Sequence, residues 1–548
     1  LDFLKKHPYL VSKFFDMKQT LFLIGIGGTG MRCLEAFVHT CAMGMADNSE
    51  INILALDTDL DNGNFSRLKS LVEDAYLKVK GYNKTHYPLH ETFFSAKINL
   101  FTFTPDYSDA VKNGSFEAIS KYAYADGDKK ALADILLSPQ VREFDLKHGY
   151  RAQTHLGSLL MYHSIIDEVT KNPHGKLAEY IQMIYDAGET GDARVFVSGS
   201  VFGGTGASSI PVIPKAFNAA VNILDPGKTL SKANFGATLL SAYFKFTPPD
   251  ESLRSRQKVV ASSKNFALNS QIAMMFYNED KTVKSVFQKF YMLGTPTNDF
   301  ETKTEGNETV TGGALQKNDS HYIELLAAFA ALDFFATPLQ QIDEIRNQKR
   351  EVQYYYRALN PSGRVDFKDF TTPERTPEFA RKFAALTALS FLVYPEFNDF
   401  VAAAQAGLLA KNNISGYEDI LPQEVTGIKK YFELFHFGIS PQGDITDGWL
   451  RQVHRSAGGL GNFLFNADLF GLTNTKELKK FDFNKRLFRP DEDDIAAASF
   501  KTGLFGTPFD SFKDEFVKQH DTDSIQYKIE KLVKRMYDTI NSLYGFKI

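Results

Sequence analysis

Twice in this chain an apolar, β-branched run stops at Gly-Gly-Thr-Gly and a helical pattern begins. The first case is LFLIGIGGTGMRCLEAF at residues 21–37, and the second is RVFVSGSVFGGTGASSIPVIPKAF at residues 194–217. Glycine at such a joint lets the backbone take a positive φ and lets a ligand approach the peptide N–H groups. The first turn of a helix leaves those N–H groups unpaired and carries partial positive charge, so each corner suits a phosphate. A purely structural turn would also account for one such corner. Two corners of the same composition, both between strand and helix, predict N–H groups that converge on one polyphosphate from two sides.

Around the first corner the pattern is strand, glycine turn, helix, strand, with the second strand in INILALDTD at residues 51–59 ending in acids. That order opens an α/β fold with a doubly wound, mainly parallel sheet. Residues 63–147 mix aromatic stretches such as INLFTFTPDY with polar ones, and they read as an insertion. Helices are predicted at 154–170 and 175–187, and strands at 235–246 and 286–294 with a long helix between them. The polar segment 298–313 reads as an exposed loop. After it, SHYIELLAAFAALDFFA at 320–336 is apolar nearly all round, which marks a long central helix buried on most sides. The expected division is a nucleotide-binding domain over 1–313, the central helix over 314–337, and a second α+β domain over 338–548. Helices at 376–394 and 524–544 belong to that last part.

Composition narrows the function classes. Hydrophobic content of 43% and charged content of 23% describe an ordinary globular protein, and a net charge of −4 gives no push toward nucleic acid or an anionic membrane. The basic run RNQKREVQYYYR at 346–357 reads as a solvated helix face. Cys33 and Cys41 are the only cysteines, so there is no disulfide framework and no zinc spacing. No apolar run reaches the roughly 18 residues that span a bilayer. A reducing cytoplasm is the expected compartment. The patterns GxxxxGK[ST], HExxH and GxSxG are absent, which removes P-loop, zinc-protease and nucleophile-elbow chemistry.

The succession GIGGTG, ALDTD, GSVFGGTG resembles the tubulin and FtsZ superfamily of GTP-binding, filament-forming proteins. The likeness covers residues 20–340 in order and is strongest at the two corners. It implies a GTPase that binds GTP/GDP with Mg2+ and assembles with itself head to tail, with an adaptor protein as a further class of partner. It implies phosphate contacts from Gly25, Gly27, Gly28, Thr29 and Gly30 in the first corner. Gly203, Gly204, Thr205 and Gly206 would serve in the second. The acidic turn places Asp57 and Asp59 near the metal. HGYRAQTHLGS is similar to the loop that senses the γ-phosphate, which carries over Gly157, with Arg151 and Thr154 beside it. TPPDESLRSR resembles the ribose turn, with Asp250 or Glu251 and Arg254 as its polar groups. Asn318, near the start of the central helix, would meet the guanine edge.

GRVDFKDF at 363–370 is similar to the family's NxDFAD loop, whose acids orient the attacking water in the neighbouring subunit. Asp366 and Asp369 keep that spacing, while Arg364 replaces the asparagine. Two other readings remain. A nucleotide-binding scaffold that never hydrolyses needs the corners but not these acids. An NAD-dependent oxidoreductase rests on GIGGTG and Asp57 alone and leaves the second corner without a role.

Overall fold

Gln19–Ile26 (β1) is buried from its third residue onward, as a strand covered on both faces must be. The computed structural model describes residues 19–46, 49–59, 61–80, 91–106, 150, 153–245, 263–295, 316–358, 364–397, 425–440, 444–457, 507–520 and 527–544, with isolated residues between. In it β1 joins Glu50–Leu56 (β2), Lys97–Phe103 (β3), Asp192–Ser200 (β4), Asn234–Leu240 (β5), Phe287–Gly294 (β6) and Gln353–Ala358 (β7). These seven strands form one sheet of order β3-β2-β1-β4-β5-β6-β7, parallel throughout.

The helices between them begin with Gly27–Ala42 (α1) and Gly63–Lys69 (α2), the latter continuing through a π-helical turn at Ser70–Tyr76. Thr154–Lys171 (α3), Lys176–Thr190 (α4), Thr205–Ser209 (α5) and Ile213–Leu224 (α6) follow. Then come Phe266–Glu279 (α7), Lys281–Val286 (α8), Tyr322–Ala336 (α9) and Leu339–Arg346 (α10). Thr376–Val393 (α11), Thr426–Phe435 (α12), Trp449–Ser456 (α13), Pro508–Lys518 (α14) and Lys528–Tyr544 (α15) follow among the described residues.

Side chains alternate across the sheet as the strand period requires. Leu21, Leu23 and Phe196 enter a core with α1 and α9, while Phe22, Ile24, Val195 and Val197 enter a second core with α3, α4 and α6. Helices thus cover both faces of the sheet, which is the doubly wound arrangement. The α9 helix is buried along nearly its whole length, as its all-round apolar pattern predicts. No single helix among the described residues is long and apolar enough to cross a membrane.

Three expectations change. Residues 63–147 are not a simple insertion, because INLFTF at 98–103 belongs to β3, an edge strand of the main sheet. The boundary at 338 does not divide two cores. Residues beyond it supply β7, and Phe379, Tyr431, Phe512 and Ile540 share one apolar cluster with α1 and α9. The third concerns the basic run 346–357, which ends in the strand β7 rather than a helix face. Three consecutive tyrosines suit a pleated, half-buried surface, and here Tyr354 stacks on Phe290 and Tyr355 on Tyr291 at 5.7 and 5.1 Å.

Close packing between α1 and the strands beneath it is set by Gly30. A Cβ there would lie 2.6 Å from the carbonyl carbon of Gly25 and 2.9 Å from the carbonyl oxygen of Ser198, both backbone atoms that cannot swing aside. Gly30→Ala is therefore expected to lower stability by about 1–3 kcal/mol. Urea unfolding of the two proteins measures this, and equal midpoints would refute it.

Candidate functional site

From β1 the chain runs outward to β2 and β3, then returns to β4 on the other side of β1. The strand order reverses there, and in open parallel sheets a crevice forms beyond the strand ends at that point. Both glycine corners lie at it. The ladder pairs Gly25 with Ser198, so the two strands end level with each other. Helix α1 then leaves toward one face and α6 toward the other.

The corners touch. Gly27 has φ +68°, and a Cβ built on it would lie 3.3 Å from Thr205 Cβ. The second corner turns differently from the expectation of positive φ, since Gly204 caps α5 at φ −78°. Within these largely buried turns, Gly28, Thr29, Gly203, Gly204 and Thr205 are half-buried and so line the crevice. Other glycines expected to meet phosphate are occupied by packing. A Cβ on Gly25 would strike Leu34, one on Gly206 would strike the backbone of Ser200, and one on Gly157 would strike Tyr150 and Ser208. Gly157 therefore seats α3 against α5.

The acidic turn after β2 closes one side. Asp57, Thr58 and Asp59 are all buried, and the hydroxyls of Thr58 and Thr205 lie 3.3 Å apart, joining this turn to the second corner. Asp57 accepts from the Asp59 N–H at 3.3 Å and from Asn62 Nδ2 at 3.1 Å. Asp59 accepts from the N–H groups of Asp61 and Gly313 at 3.1 and 2.6 Å. Burial, reinforced by the neighbouring Asp59, pushes the Asp57 carboxyl up to about 7.

Two residues that sequence reasoning missed complete the rim. Asn62 caps α2 by accepting from the Asn64 N–H, and its amide also donates to Gln316 Oε1 at 3.1 Å. Asn64 accepts from the Asn318 N–H at 3.1 Å, but its buried Nδ2 has no partner. That amide nitrogen lies 3.2 Å from where a Cβ on Gly28 would be. An unpaired buried donor over a half-open glycine suits an anion that would supply the missing acceptor. Asn62 and Asn64, directly after the acidic turn, were the available signal, and Asn64 was hidden by reading residue 63 onward as an insertion.

No protein-family model and no curated protein matches the chain.

The remaining expected residues are placed as follows. Asn318 is buried three residues before His321, the cap of α9. Its N–H is held by Asn64 and its carbonyl by Arg67. Thr154 opens α3. Arg151, Asp250, Glu251 and Arg254 lie outside the described residues. Asp366 and Asp369 stand apart from the corners, after the far edge strand β7. They cap a short 3-10 turn reciprocally, with Asp369 Oδ2 accepting from the Asp366 N–H at 2.8 Å. Arg364 and Lys368 pair with Asp366, and Arg357 with Asp369. Among the described residues, no group of three or more His, Cys, Asp or Glu side chains could hold a metal by itself. Asp57 and Asp59 suit the one or two carboxylates that a nucleotide-bound Mg2+ uses, the rest being phosphate and water.

The raised Asp57 carboxyl has a consequence for stability. Between pH 3.8, its ordinary value, and about 7, folded Asp57 holds a proton that the unfolded chain has lost. Stability therefore falls as pH rises through that window and levels off above it. In chelator-containing buffer, wild type should lose stability relative to Asp57→Asn from pH 4 to 7, by on the order of a few kcal/mol. Urea unfolding at each pH tests this, and parallel curves would contradict it.

Proposed function

We propose that the chain is a tubulin-like nucleotide-binding protein that holds GTP between the two glycine corners and assembles head to tail. One observation carries this reading: two half-open glycine corners in contact at the sheet's switch point, with the unpartnered Asn64 Nδ2 over Gly28. The N–H groups that open α1 and the backbone of Gly203–Gly204 donate to phosphate oxygens, and the Thr29 and Thr205 hydroxyls add donors. Mg2+, when bound, neutralises charge on the β and γ oxygens, with Asp57 and Asp59 orienting its waters. Guanine preference and head-to-tail growth come from the resemblance of the motifs.

Asn64→Asp, its fold checked by circular dichroism because the new carboxylate is buried and lowers stability, tests the phosphate role while keeping the acceptor for the Asn318 N–H. It removes the unpaired donor and sets a negative charge at the crevice. GTP affinity, read by displacement of a fluorescent guanine nucleotide, is expected to fall at least about tenfold in the folded variant. NAD should not displace the probe from wild type. Unaltered GTP binding in the folded variant would remove the corner from the phosphate site.

A second reading, a nucleotide-binding scaffold that does not hydrolyse, is favoured by the state of Asp366 and Asp369. Their carboxylates are already engaged in the reciprocal cap and by three cationic side chains. If instead they orient water in a neighbouring subunit, Asp366→Ala and Asp369→Ala should bind GTP normally, release phosphate at least about tenfold more slowly, and accumulate filaments in pelleting assays. Release at the parent rate in both variants decides for the scaffold if wild-type release shows no assembly threshold.

A further inference from the structure

Among the described residues, the helical layer over the sheet is incomplete beside α7. On the α7 side of the far edge, Tyr354 and Tyr356 of β7 are 38% and 73% exposed. The α7 helix itself has two apolar faces. Phe266, Ala273 and Tyr277 are buried, whereas Leu268, Ile272, Met275 and Phe276 point to solvent, each about half exposed or more. Their spacing of four, three and one is that of a single helix face. Between α7 and the strands lies a groove of about 440 Å³, walled by Met275, Phe290, Met292, Tyr354 and Tyr356. Contiguous exposed apolar surface of this kind marks an interaction site, whereas isolated exposed residues do not.

The groove has a charged end. Asn278 and Tyr354 also line an adjoining cleft of about 660 Å³, whose wall carries Lys281, Lys284, Lys349 and Arg350 against a single acid, Glu351. Among the described residues, only Arg350 of these four cations has an ion-pair partner, Glu344 at 3.9 Å. An occupant must therefore be apolar along one side and acidic at one end. A helix suits it, because a helix is what covers the sheet face elsewhere in this fold.

From its described surface a second copy offers only its own α7 as an exposed apolar helix, and Lys264, Lys281 and Lys284 flank that helix against Glu279 and an Asp280 already paired with Lys215, so it lacks the acidic end. Among the described residues, the exposed large hydrophobic residues outside α7 and β7 are Ile135 and Ile223, and the apolar stripe of α15 is buried. We propose that the groove docks an amphipathic helix of a partner protein. Its apolar stripe covers Met275, Tyr354 and Tyr356, and its acidic end meets Lys281, Lys284, Lys349 and Arg350. The contact is independent of the nucleotide reading.

The test uses the full chain and fluorescein-labelled helical peptides of about 18 residues, long enough to lie along α7. Each has Leu and Phe on one face and glutamates in one terminal turn, made in both polarities. One polarity should bind saturably in fluorescence anisotropy and weaken as salt rises. Binding should fall at least about tenfold when the glutamates become lysines, and likewise for Met275→Asp and for Lys281→Glu with Lys284→Glu. These side chains are exposed, so melting curves of the variants should match wild type, and Tyr356→Asp serves if one does not. Absent saturable binding, or binding indifferent to every variant, overturns the proposal. Concentration-dependent self-association that Met275→Asp abolishes also overturns it, since the occupant is then a second copy.

Discussion

Gly25 of β1 faces Ser198 of β4 in a parallel ladder, and each strand ends within a few residues of that pair. Parallel neighbours cannot be joined by a hairpin, so the chain between them makes long crossovers. Here it builds β2, β3 and α1–α4 before returning. The return on the opposite side of β1 creates the switch point and brings two distant Gly-Gly-Thr-Gly turns into contact. A slip of one residue would exchange the two faces of β1, sending Leu21 and Leu23 into the core of Phe22 and Ile24. The burial of both faces thus holds the register that the crevice needs.

Buried charges fasten the helices around that crevice. Arg32 of α1 donates to Glu324 of α9 at 2.5 Å, and Tyr243 donates to the same carboxylate oxygen at 2.6 Å. Glu324 also closes the cap of α9 by accepting from the His321 N–H at 2.9 Å. Arg67 of α2 pairs with Glu35 of α1 while donating to the Asn318 carbonyl and the Ser320 hydroxyl. Removing one partner of such a pair leaves an uncompensated charge and costs about 3–5 kcal/mol. The helix after the first corner, the helix after the acidic turn and the central helix are therefore held as a unit. Gln452 of α13 joins through Arg67 and the Ser320 N–H, which couples the later part of the chain to the same corner.

The far edge of the sheet is different in character. Among the described strands β7 has a neighbour on one side only, its tyrosines are partly exposed, and the turn carrying Asp366 and Asp369 is stabilised by its own acids. Carboxylates that satisfy a cap and three cations are less available to bias a water molecule. The crevice at the glycine corners and the acidic loop consequently stand on unequal ground within one chain.

Local pattern was enough for much of this. Apolar runs ending in glycine predict β1, β4 and their corners, because strand period, turn chemistry and helix start are properties of neighbouring residues. The all-round apolar character of 320–336 likewise announces a buried helix. What local pattern could not supply is which element meets which. Residues 98–103 look like any aromatic stretch until they pair with β2, and Tyr354–Tyr356 look like part of a basic helix until they pair with β6. Whether a glycine admits a ligand or a neighbouring backbone is also a matter of contact. Gly28 opens to the crevice, whereas Gly30, two residues on, is closed by Gly25 and Ser198. Asn62 and Asn64 acquire meaning only when Gln316 and Asn318, some 250 residues later, fold across them. Sequence determines the elements because backbone dihedral preference and side-chain period act over a few residues. The site belongs to the tertiary structure, because a crevice is made by surfaces that meet across the chain.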